Sequence, residues 1–168
     1  MKTLISREDI QKRIEALGAE ITEHYKGEPL TAVCLLNGAM IFASDLMRAI
    51  DLPLQYDTFA ASSYADTRST GELKIRSDLK LPIKGRHVLL IDDILDTGLT
   101  MKCIINKFMQ SGALSVKSCV LLNKKVNDKL FTTPDWVGFE IENEFVIGYG
   151  LDYNEEYRNL PYIGILEQ

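Results

Sequence analysis

The chain has 168 residues, of which 46% are hydrophobic and 26% are charged, and its formal net charge at pH 7 is -5. This size and apolar content are typical of one compact domain, and the negative balance argues against a nucleic-acid binder, which needs clustered Lys and Arg. The apolar runs are too short to cross a bilayer and the first residues lack a signal-peptide pattern, so we expect a cytoplasmic protein without membrane contact. Three scattered cysteines offer neither a disulfide framework nor metal-ligand spacing.

The first third of the chain predicts a helix, then a strand, a tight loop and a second helix. Ser6 and Asp9 resemble a capping box, and apolar residues follow at helical spacing, namely Ile10, Ile14, Leu17 and Ile21. The apolar run 31–36 predicts a short strand that ends at Asn37-Gly38. One face of the second helix is then expected to consist of Met40, Ala43, Met47 and Ile50.

The middle of the chain predicts one more strand and a long polar segment. "LQYDTFA", after Pro53, has the composition of a strand. Residues 61–78 are polar and Ser-rich without a long period, which predicts a mobile flap or a loose hairpin. Because segments of this length in compact domains are usually functional or disordered, we expect a lid over a site.

The second half predicts a strand, helix, strand unit followed by short β segments. "HVLLI" (87–91) and "VKSCVLL" (116–122) read as strands, and the helix between them has an apolar face of Met101, Ile104, Ile105, Phe108 and Met109. Such units give parallel strands, with a ligand crevice beyond their carboxyl ends. "DWVGFEI", "EFVIGYG" and "YIGIL" predict short strands that form a small hood or sheet edges.

An acidic turn, residues 92–100, lies between that strand and that helix. Asp92 and Asp93 are followed by "DTGLT", which supplies a glycine, two hydroxyls and successive N–H groups at a helix N-terminus, a geometry suited to an anion. Thr100 also suits a helix N-cap. Three carboxylates repel free phosphate, so the pattern favours a phosphorylated sugar, held through a divalent cation or by its hydroxyls. A solvated acidic loop stays an alternative.

"VLLIDDILDTGLT" closely resembles the phosphoribosyl-pyrophosphate motif of type I phosphoribosyltransferases. The stretches 61–64, 121–125, 134–141 and 145–164 are similar to hypoxanthine-guanine phosphoribosyltransferases, and the resemblance covers nearly the whole chain. It implies an α/β protein with the type I phosphoribosyltransferase fold, in which a central, mostly parallel twisted sheet is flanked by helices. It also implies a single domain over 1–168, with a flexible flap at about 61–78 and a small hood from the C-terminal segment and part of the N-terminus.

The resemblance implies a reaction in which hypoxanthine or guanine and 5-phosphoribosyl 1-pyrophosphate give IMP or GMP and pyrophosphate, with Mg²⁺ as cofactor. Asp96 then matches the catalytic residue that exchanges a proton with N7 of the purine. Asp92 and Asp93 match the acids around the ribose hydroxyls and Mg²⁺. The cradle for the phosphoribosyl 5′-phosphate matches Asp96, Thr97, Gly98, Leu99 and Thr100. Carboxylates at this place suit the chemistry, because bond breaking at C1 leaves positive charge on the sugar.

The base site is assigned by the same resemblance. Lys124 matches a lysine that donates to the purine 6-oxo group, although a lysine after a strand is otherwise most often exposed. Trp136 is expected to stack on the base, although packing in the core is also plausible for it, and Val137 to offer backbone groups to the base edge. Asp152 matches a second Mg²⁺ ligand close to the pyrophosphate, and it is also grouped with the base-binding residues.

The pyrophosphate site and the lid complete the expected set. Arg158 matches a pyrophosphate-binding arginine, and Asn37-Gly38 matches a loop that binds pyrophosphate through its backbone. The family usually has Lys or Arg where this chain has Asn37, so we hypothesise weaker pyrophosphate binding. Ser63 and Tyr64 match a Ser-Tyr pair in the flap that covers the reacting centre.

Two interpretations from other classes remain. A regulatory, RNA-binding relative of the phosphoribosyltransferases is disfavoured by the acidic balance. A receiver-type signalling domain shares "VLLIDD" but carries its acid pair after its first strand, and it leaves the Asp-Thr-Gly loop unexplained. Relatives are dimers or tetramers, so we expect a homodimer or homotetramer, while the preference among hypoxanthine, guanine and xanthine stays open.

Overall fold

The computed structural model describes residues 1–63, 72–131 and 133–167. This part of the chain forms three helices and nine strands in two sheets. In chain order the elements are β1 Lys2–Ile5, α1 Arg7–His24, β2 Leu30–Leu35, α2 Met40–Ala49, β3 Leu54–Ser63, β4 Leu73–Ser77, β5 His87–Leu95, α3 Leu99–Gln110, β6 Ser115–Lys124, β7 Trp136–Ile141, β8 Val146–Ile147 and β9 Ile163–Ile165.

The larger sheet has the strand order β4-β3-β2-β5-β6-β7, and all its neighbours are parallel except the β3–β4 pair. Its central strands are buried on both faces, which explains their unbroken apolar runs. One face packs against α1 and α2 and the other against α3. The central, mostly parallel sheet flanked by helices is therefore confirmed.

The first helix follows its sequence pattern closely. The Ser6 hydroxyl accepts a hydrogen bond from the Asp9 amide at 3.1 Å and caps α1. The buried face consists of the predicted Ile10, Ile14, Leu17 and Ile21, together with Gly18. A Cβ added at Gly18 would lie 2.4 Å from the Ala49 carbonyl oxygen, so this glycine lets α1 and α2 approach closely.

The faces of the other two helices differ in part from expectation. In α2 the buried residues are Phe42, Ala43 and Leu46, whereas Met40 is 52% exposed. Of the predicted face, Ala43 and the C-cap residue Ile50 are buried. Helix α3 begins at Leu99 with Gly98 as its N-cap, so Thr100 is inside the helix and does not cap it. Its buried face contains Met101, Ile104 and Phe108 as predicted, and Cys103, while Met109 is exposed.

The segment predicted as a flap is bounded by two hairpin arms. β3 pairs antiparallel with β4 from Ala60–Ser77 to Ser63–Leu73, which agrees with the hairpin alternative. Residues 64–71, with Tyr64 among them, lie outside the described residues, so the lid itself stays a prediction.

The smaller sheet joins the two ends of the chain, with antiparallel strands in the order β1-β9-β8. The N-terminus contributes β1 and the C-terminal segment contributes β8 and β9, while the hood over the site stays a prediction. Over the described ranges, no helix combines the length and apolarity that a membrane crossing requires.

Candidate active site

The carboxyl ends of the parallel strands surround a cavity of about 310 Å³. Asp92 and the whole turn 96–100 line it from β5 and the start of α3, and Ser63 lines it from the end of β3. The sequence-predicted cradle residues Asp96, Thr97, Gly98, Leu99 and Thr100 are therefore brought together at one opening. This position at the ends of parallel strands is where α/β sheets bind ligands.

The turn before α3 has the geometry of an anion cradle. Gly98 has φ +86°, a left-handed conformation that glycine adopts without strain, and it places the following amides at the helix N-terminus. The Thr97 carbonyl accepts hydrogen bonds from the amides of Leu130 (2.7 Å) and Phe131 (3.1 Å). The Thr100 hydroxyl donates to the Ser63 hydroxyl at 3.1 Å, which joins the cradle to β3.

The acid pair at the end of β5 lies in a poorly solvated place. Burial raises the pKa of Asp92 well above its ordinary value, and the adjacent charge of Asp93 adds to this shift. Burial also raises the pKa of Asp93, against the opposing effects of its hydrogen bonds and of Arg158. A cation or the hydroxyls of a sugar would stabilise the charged form of both carboxylates.

The donor set fits Mg²⁺ bound partly through a substrate. Among residues 1–63, 72–131 and 133–167, no group of three or more His, Cys, Asp or Glu side chains is arranged to hold a metal ion. Mg²⁺ commonly takes one or two protein carboxylates and completes its shell with phosphate oxygens and water. The carboxylates of Asp92, Asp93 and Asp152 are the oxygen ligands available here.

Lys124 lies next to Asp96, which lines the cavity. The register of β5 and β6 pairs Leu95 with Asn123, which places the residues that follow each of them at the same edge. The Lys124 Nζ lies 3.9 Å from Asp96 Oδ2. The Lys124 side chain is 12% exposed, whereas that of Asp96 is 61% exposed. A shielded ammonium therefore faces an accessible carboxylate.

A second cluster holds the residues expected around pyrophosphate. A Cβ added at Gly38 would lie 1.9 Å from Asp93 Oδ2, and one added at Gly150 would lie 2.3 Å from the Gly38 carbonyl oxygen. Arg158 donates to the Gly150 carbonyl at 2.7 Å and lies 3.3 Å from an oxygen of Asp152. The loop, the acid pair and the 150–158 turn therefore form one contiguous cluster. The Leu36–Asn37 peptide bond is cis, and Asn37 is exposed.

Trp136 and Val137 are not brought to this site, which corrects their expected roles. The Trp136 ring packs 5.2 Å from that of His24, at the end of α1. Trp136, on β7, pairs with Cys119 on β6. Cys119 lies five residues before Lys124, so Trp136 is displaced from Lys124 by roughly 16 Å along the strand direction. The Val137 carbonyl accepts a hydrogen bond from Arg13 at 2.7 Å. Both residues thus join β7 to α1.

Phe145 is a candidate base-site residue that the sequence reasoning missed. It is 43% exposed and lines, with Lys124, a cavity of about 500 Å³. Its ring meets that of Tyr153 edge-on at 5.8 Å. An aromatic ring left half-exposed beside a shielded lysine is suited to stacking on a flat base. The available signal was an aromatic residue at the start of "FVIGYG", which the strand pattern alone does not distinguish from core.

Lys129 was also missed. Its ammonium donates to the carbonyl oxygens of Lys124 (2.6 Å) and Leu95 (3.1 Å), at the ends of β6 and β5. A lysine in a polar loop is ordinarily solvated, so the sequence carries no signal for this contact.

Comparison with known proteins identifies the family. The sequence profile of the family described as "Phosphoribosyl transferase domain" matches residues 4–154. The hypoxanthine-guanine-xanthine phosphoribosyltransferase of Tritrichomonas foetus is 45% identical over 99% of this chain and 92% of its own length. The hypoxanthine-guanine phosphoribosyltransferase of Bacillus subtilis is 46% identical over 99% of this chain and 93% of its own.

A crystal structure of a hypoxanthine phosphoribosyltransferase from Staphylococcus aureus superposes with a TM-score of 0.94. The two are 44% identical, and the match covers 99% of this chain and 91% of the other. With the profile match, the identities and the shared fold, the chain belongs to the phosphoribosyltransferase family and, within it, to the hypoxanthine-guanine phosphoribosyltransferases.

Proposed function

We propose that this protein is a purine salvage enzyme that transfers the phosphoribosyl group of 5-phosphoribosyl 1-pyrophosphate to hypoxanthine and guanine. The products are IMP or GMP and pyrophosphate. The observation that carries the proposal is the cavity lined by Asp92 and the anion cradle 96–100, where the Lys124 ammonium lies 3.9 Å from the Asp96 carboxylate. The cradle suits a phosphate, the acid suits the hydroxyls of a ribose, and the Asp96–Lys124 pair suits a purine.

The sugar phosphate is bound by β5 and the turn that follows it. The amides and hydroxyls of residues 97–100 hold the 5′-phosphate at the helix N-terminus. Asp92 and Asp93 hold the ribose hydroxyls, and their negative charge stabilises the positive charge that develops at C1 as the bond to pyrophosphate breaks. Ser63, bonded to Thr100, closes this side of the site.

The purine is bound at the Lys124 end. The Lys124 ammonium has donors only, so it suits a 6-oxo group and is mismatched to the 6-amino group of adenine. Phe145 stacks on the ring, and Asp96 takes or holds the proton at N7 while N9 forms the new bond to C1. Asp96 is exposed and lies 3.9 Å from the Lys124 ammonium, so a base held by Lys124 would lie close to the Asp96 carboxylate, as a general base requires.

The leaving pyrophosphate occupies the cluster of Gly38, Asp152 and Arg158. The rigid guanidinium fork of Arg158 matches phosphate oxygens, and the Asn37-Gly38 backbone supplies further donors. Asp152 and the acid pair would hold Mg²⁺, which would supply positive charge to neutralise the leaving group.

The test offers 5-phosphoribosyl 1-pyrophosphate and Mg²⁺ with hypoxanthine, guanine, xanthine or adenine, and quantifies the nucleotide formed. We expect IMP and GMP, and little AMP, because polar mismatches in a base site discriminate by roughly 10⁴-fold. Lys124→Gln should erode this discrimination, whereas Lys125→Gln, at the exposed neighbouring position, should not. If the protein forms no nucleotide from any of the four bases, the proposal is overturned.

Two coarser expectations accompany the proposal. The homodimer or homotetramer stays a prediction. A cytoplasmic location is proposed because the three cysteines are free and buried, as thiols in a reducing compartment are. The RNA-binding and receiver alternatives have no support in the named relatives, all of which are phosphoribosyltransferases.

A further inference from the structure

The segment Lys129–Phe131 runs along the outside of the anion cradle and contacts it at three points. The Lys129 ammonium donates to the Leu95 carbonyl at 3.1 Å. The Leu130 and Phe131 amides both donate to the Thr97 carbonyl, at 2.7 and 3.1 Å. A Cβ added at Gly98 would lie 2.6 Å from the Phe131 Cβ, so the segment also packs directly against the turn. We call Lys129–Phe131 the strap.

The strap fixes which way the peptide groups of the cradle point. In a trans peptide the N–H and C=O groups point in opposite directions. The carbonyls of Leu95 and Thr97 are turned toward the strap, so the amides of Asp96 and Gly98 are turned away from it. Asp96 and Gly98 line the cavity, which therefore receives donors where a phosphate needs them.

Lys129 is the member of the strap that hydrogen-bonds a carbonyl of the turn through its side chain, whereas Leu130 and Phe131 do so through their backbone amides. Its ammonium also donates to the Lys124 carbonyl at 2.6 Å, so one cation joins the ends of β5 and β6. Burial lowers the pKa of Lys129 from its ordinary value, and the nearby Asp96 carboxylate opposes that shift. Two carbonyl oxygens and a neighbouring carboxylate compensate for the water that the ammonium loses.

We propose that Lys129 is a positioning residue for phosphate binding, which orients the Asp96 amide toward the cavity by holding the Leu95 carbonyl from behind, while the backbone of the strap holds the Thr97 carbonyl. The inference rests on the proposed function for the identity of the physiological ligand. The contacts of Lys129 with the loop, however, would affect the binding of any phosphate monoester in the cradle. The Lys129 ammonium donates to the backbone carbonyls of Leu95 and Lys124, so its effect is exerted through the loop.

The test measures binding of ribose 5-phosphate by calorimetry, alongside steady-state kinetics, in Lys129→Gln and Lys129→Arg. Loss of a charge-assisted hydrogen bond typically costs a factor of 10 to 100 in the equilibrium it supports. We expect the dissociation constant of ribose 5-phosphate in Lys129→Gln to rise about tenfold or more. The KM for 5-phosphoribosyl 1-pyrophosphate should rise in parallel, with a smaller effect on kcat. Lys129→Arg, which keeps a cation with several donors, should recover most of the affinity.

Two controls separate orientation of the loop from general stability. Lys125→Gln removes an exposed lysine paired with Glu142 and should leave ribose 5-phosphate binding unchanged. The thermal midpoint of each variant is recorded, and Lys129→Met, which keeps the apolar stem, replaces Lys129→Gln if that variant unfolds.

The outcomes distinguish this inference from the proposed function. Wild-type affinity for ribose 5-phosphate in folded Lys129→Gln or Lys129→Met overturns the role of Lys129 and leaves the enzymatic proposal intact. A wild-type protein that binds ribose 5-phosphate yet forms no nucleotide overturns the enzymatic proposal alone. A loss of affinity that Lys129→Arg does not recover, at an unchanged thermal midpoint, also counts against an orienting cation.

Discussion

Three aspartates within five residues have different environments and therefore different chemistry. Asp92 and Asp93 are poorly solvated, and burial raises the pKa of each carboxyl. Asp96 is 61% exposed and faces the Lys124 ammonium at 3.9 Å. Carboxylates in different environments typically have different roles, so that one group exchanges a proton and the others stabilise charge. We assign proton exchange to Asp96 on this ground.

Asp96→Asn should lower kcat by roughly 10²–10⁴-fold, the usual contribution of a positioned general base, with little change in KM. The amide keeps the size of the side chain but cannot take the proton. Steady-state kinetics with hypoxanthine measure both constants. Asp51→Asn, at an exposed position on the C-terminal side of α2, is the matched control and should behave as wild type. An unchanged kcat in Asp96→Asn would remove this residue from the mechanism.

Asn37 occupies a position where a cation is expected, next to the Gly38 backbone that contacts Asp93. Asn37→Lys should tighten pyrophosphate binding by about two- to fivefold, because an exposed ion pair contributes up to about 1 kcal/mol. Calorimetric titration with pyrophosphate and Mg²⁺ measures the change, and the gain should shrink as salt is raised. Asn127→Lys adds the same charge in an exposed loop and should have no such effect. Unaltered affinity in Asn37→Lys would show that the side chain was never the determinant.

The turn 92–100 was predictable from sequence because its site residues are contiguous, so local spacing alone places them together. The base site was not, because it is assembled from the ends of different strands. Trp136 and Phe145 both fit an aromatic stacking position in a one-dimensional pattern. The β6–β7 register, which pairs Trp136 with Cys119, is what shows that Trp136 lies far from Lys124 along the strand direction. Lys129 was beyond reach for the same reason, since its acceptors are backbone carbonyls on two other segments.

At the scale of elements, the strands and helices follow their hydrophobic patterns, while the helix faces shift where tertiary packing decides. Strands β2, β5 and β6 were expected from apolar runs, and each lies in the centre of the larger sheet. The face of α2 was displaced to Phe42, Ala43 and Leu46, because periodicity gives the spacing of a stripe but packing chooses among adjacent ones. β1 has only four residues, too few for a reliable pattern, and it depends on its pairing with β9.

Contact between two loops shapes the proposed pyrophosphate side of the site. Gly150 has φ +99°, and a Cβ there would lie 2.3 Å from the Gly38 carbonyl oxygen. Gly27 has φ +79°, and a Cβ added there would meet nothing within 4 Å. An alanine at this position would therefore have the backbone strain of a left-handed conformation without a steric clash. The pair separates two effects that a single substitution would mix.

Gly27→Ala should cost roughly 1–2 kcal/mol of stability from its left-handed conformation and leave the kinetics unchanged. Gly150→Ala should carry the same strain and also displace the Gly38 loop. Displacements of about 1 Å can cost up to 10²-fold, so we expect its KM for 5-phosphoribosyl 1-pyrophosphate to rise at least severalfold. Chemical denaturation and steady-state kinetics on both variants provide the comparison. Equal kinetics in the two variants would contradict a functional contact between the loops.

At the scale of the whole molecule, the acid pair makes the free protein less stable at neutral pH. The pKa of Asp92 in the folded state is raised, so the folded protein prefers its protonated form. The stabilisation of the fold by protonated Asp92 is complete below the ordinary carboxyl pKa, and it is lost as pH rises through the folded-state pKa. A ligand site is thereby held at some cost to the fold, as is common for functional groups.

Asp92→Asn should therefore raise the thermal midpoint of the ligand-free protein at pH 7.5, by roughly 2–4 °C for each kcal/mol recovered in a domain of this size. The difference should narrow as pH is lowered toward 4, where Asp92 is protonated in wild type as well. Thermal melts across this pH range measure it, with Asp51→Asn as an exposed comparison. A variant less stable than wild type at pH 7.5 would mean that the carboxylate supports the fold.

The central claim is that the opening at the end of β5 binds an activated, phosphorylated pentose with the help of a divalent cation. Its most direct measurement is calorimetric titration of the protein with 5-phosphoribosyl 1-pyrophosphate, with and without millimolar Mg²⁺. The account predicts saturable binding at one site per chain that depends on Mg²⁺ and is strongly weakened in Asp93→Asn. Absence of heat at millimolar Mg²⁺, or binding that Asp93→Asn leaves unchanged, would contradict it.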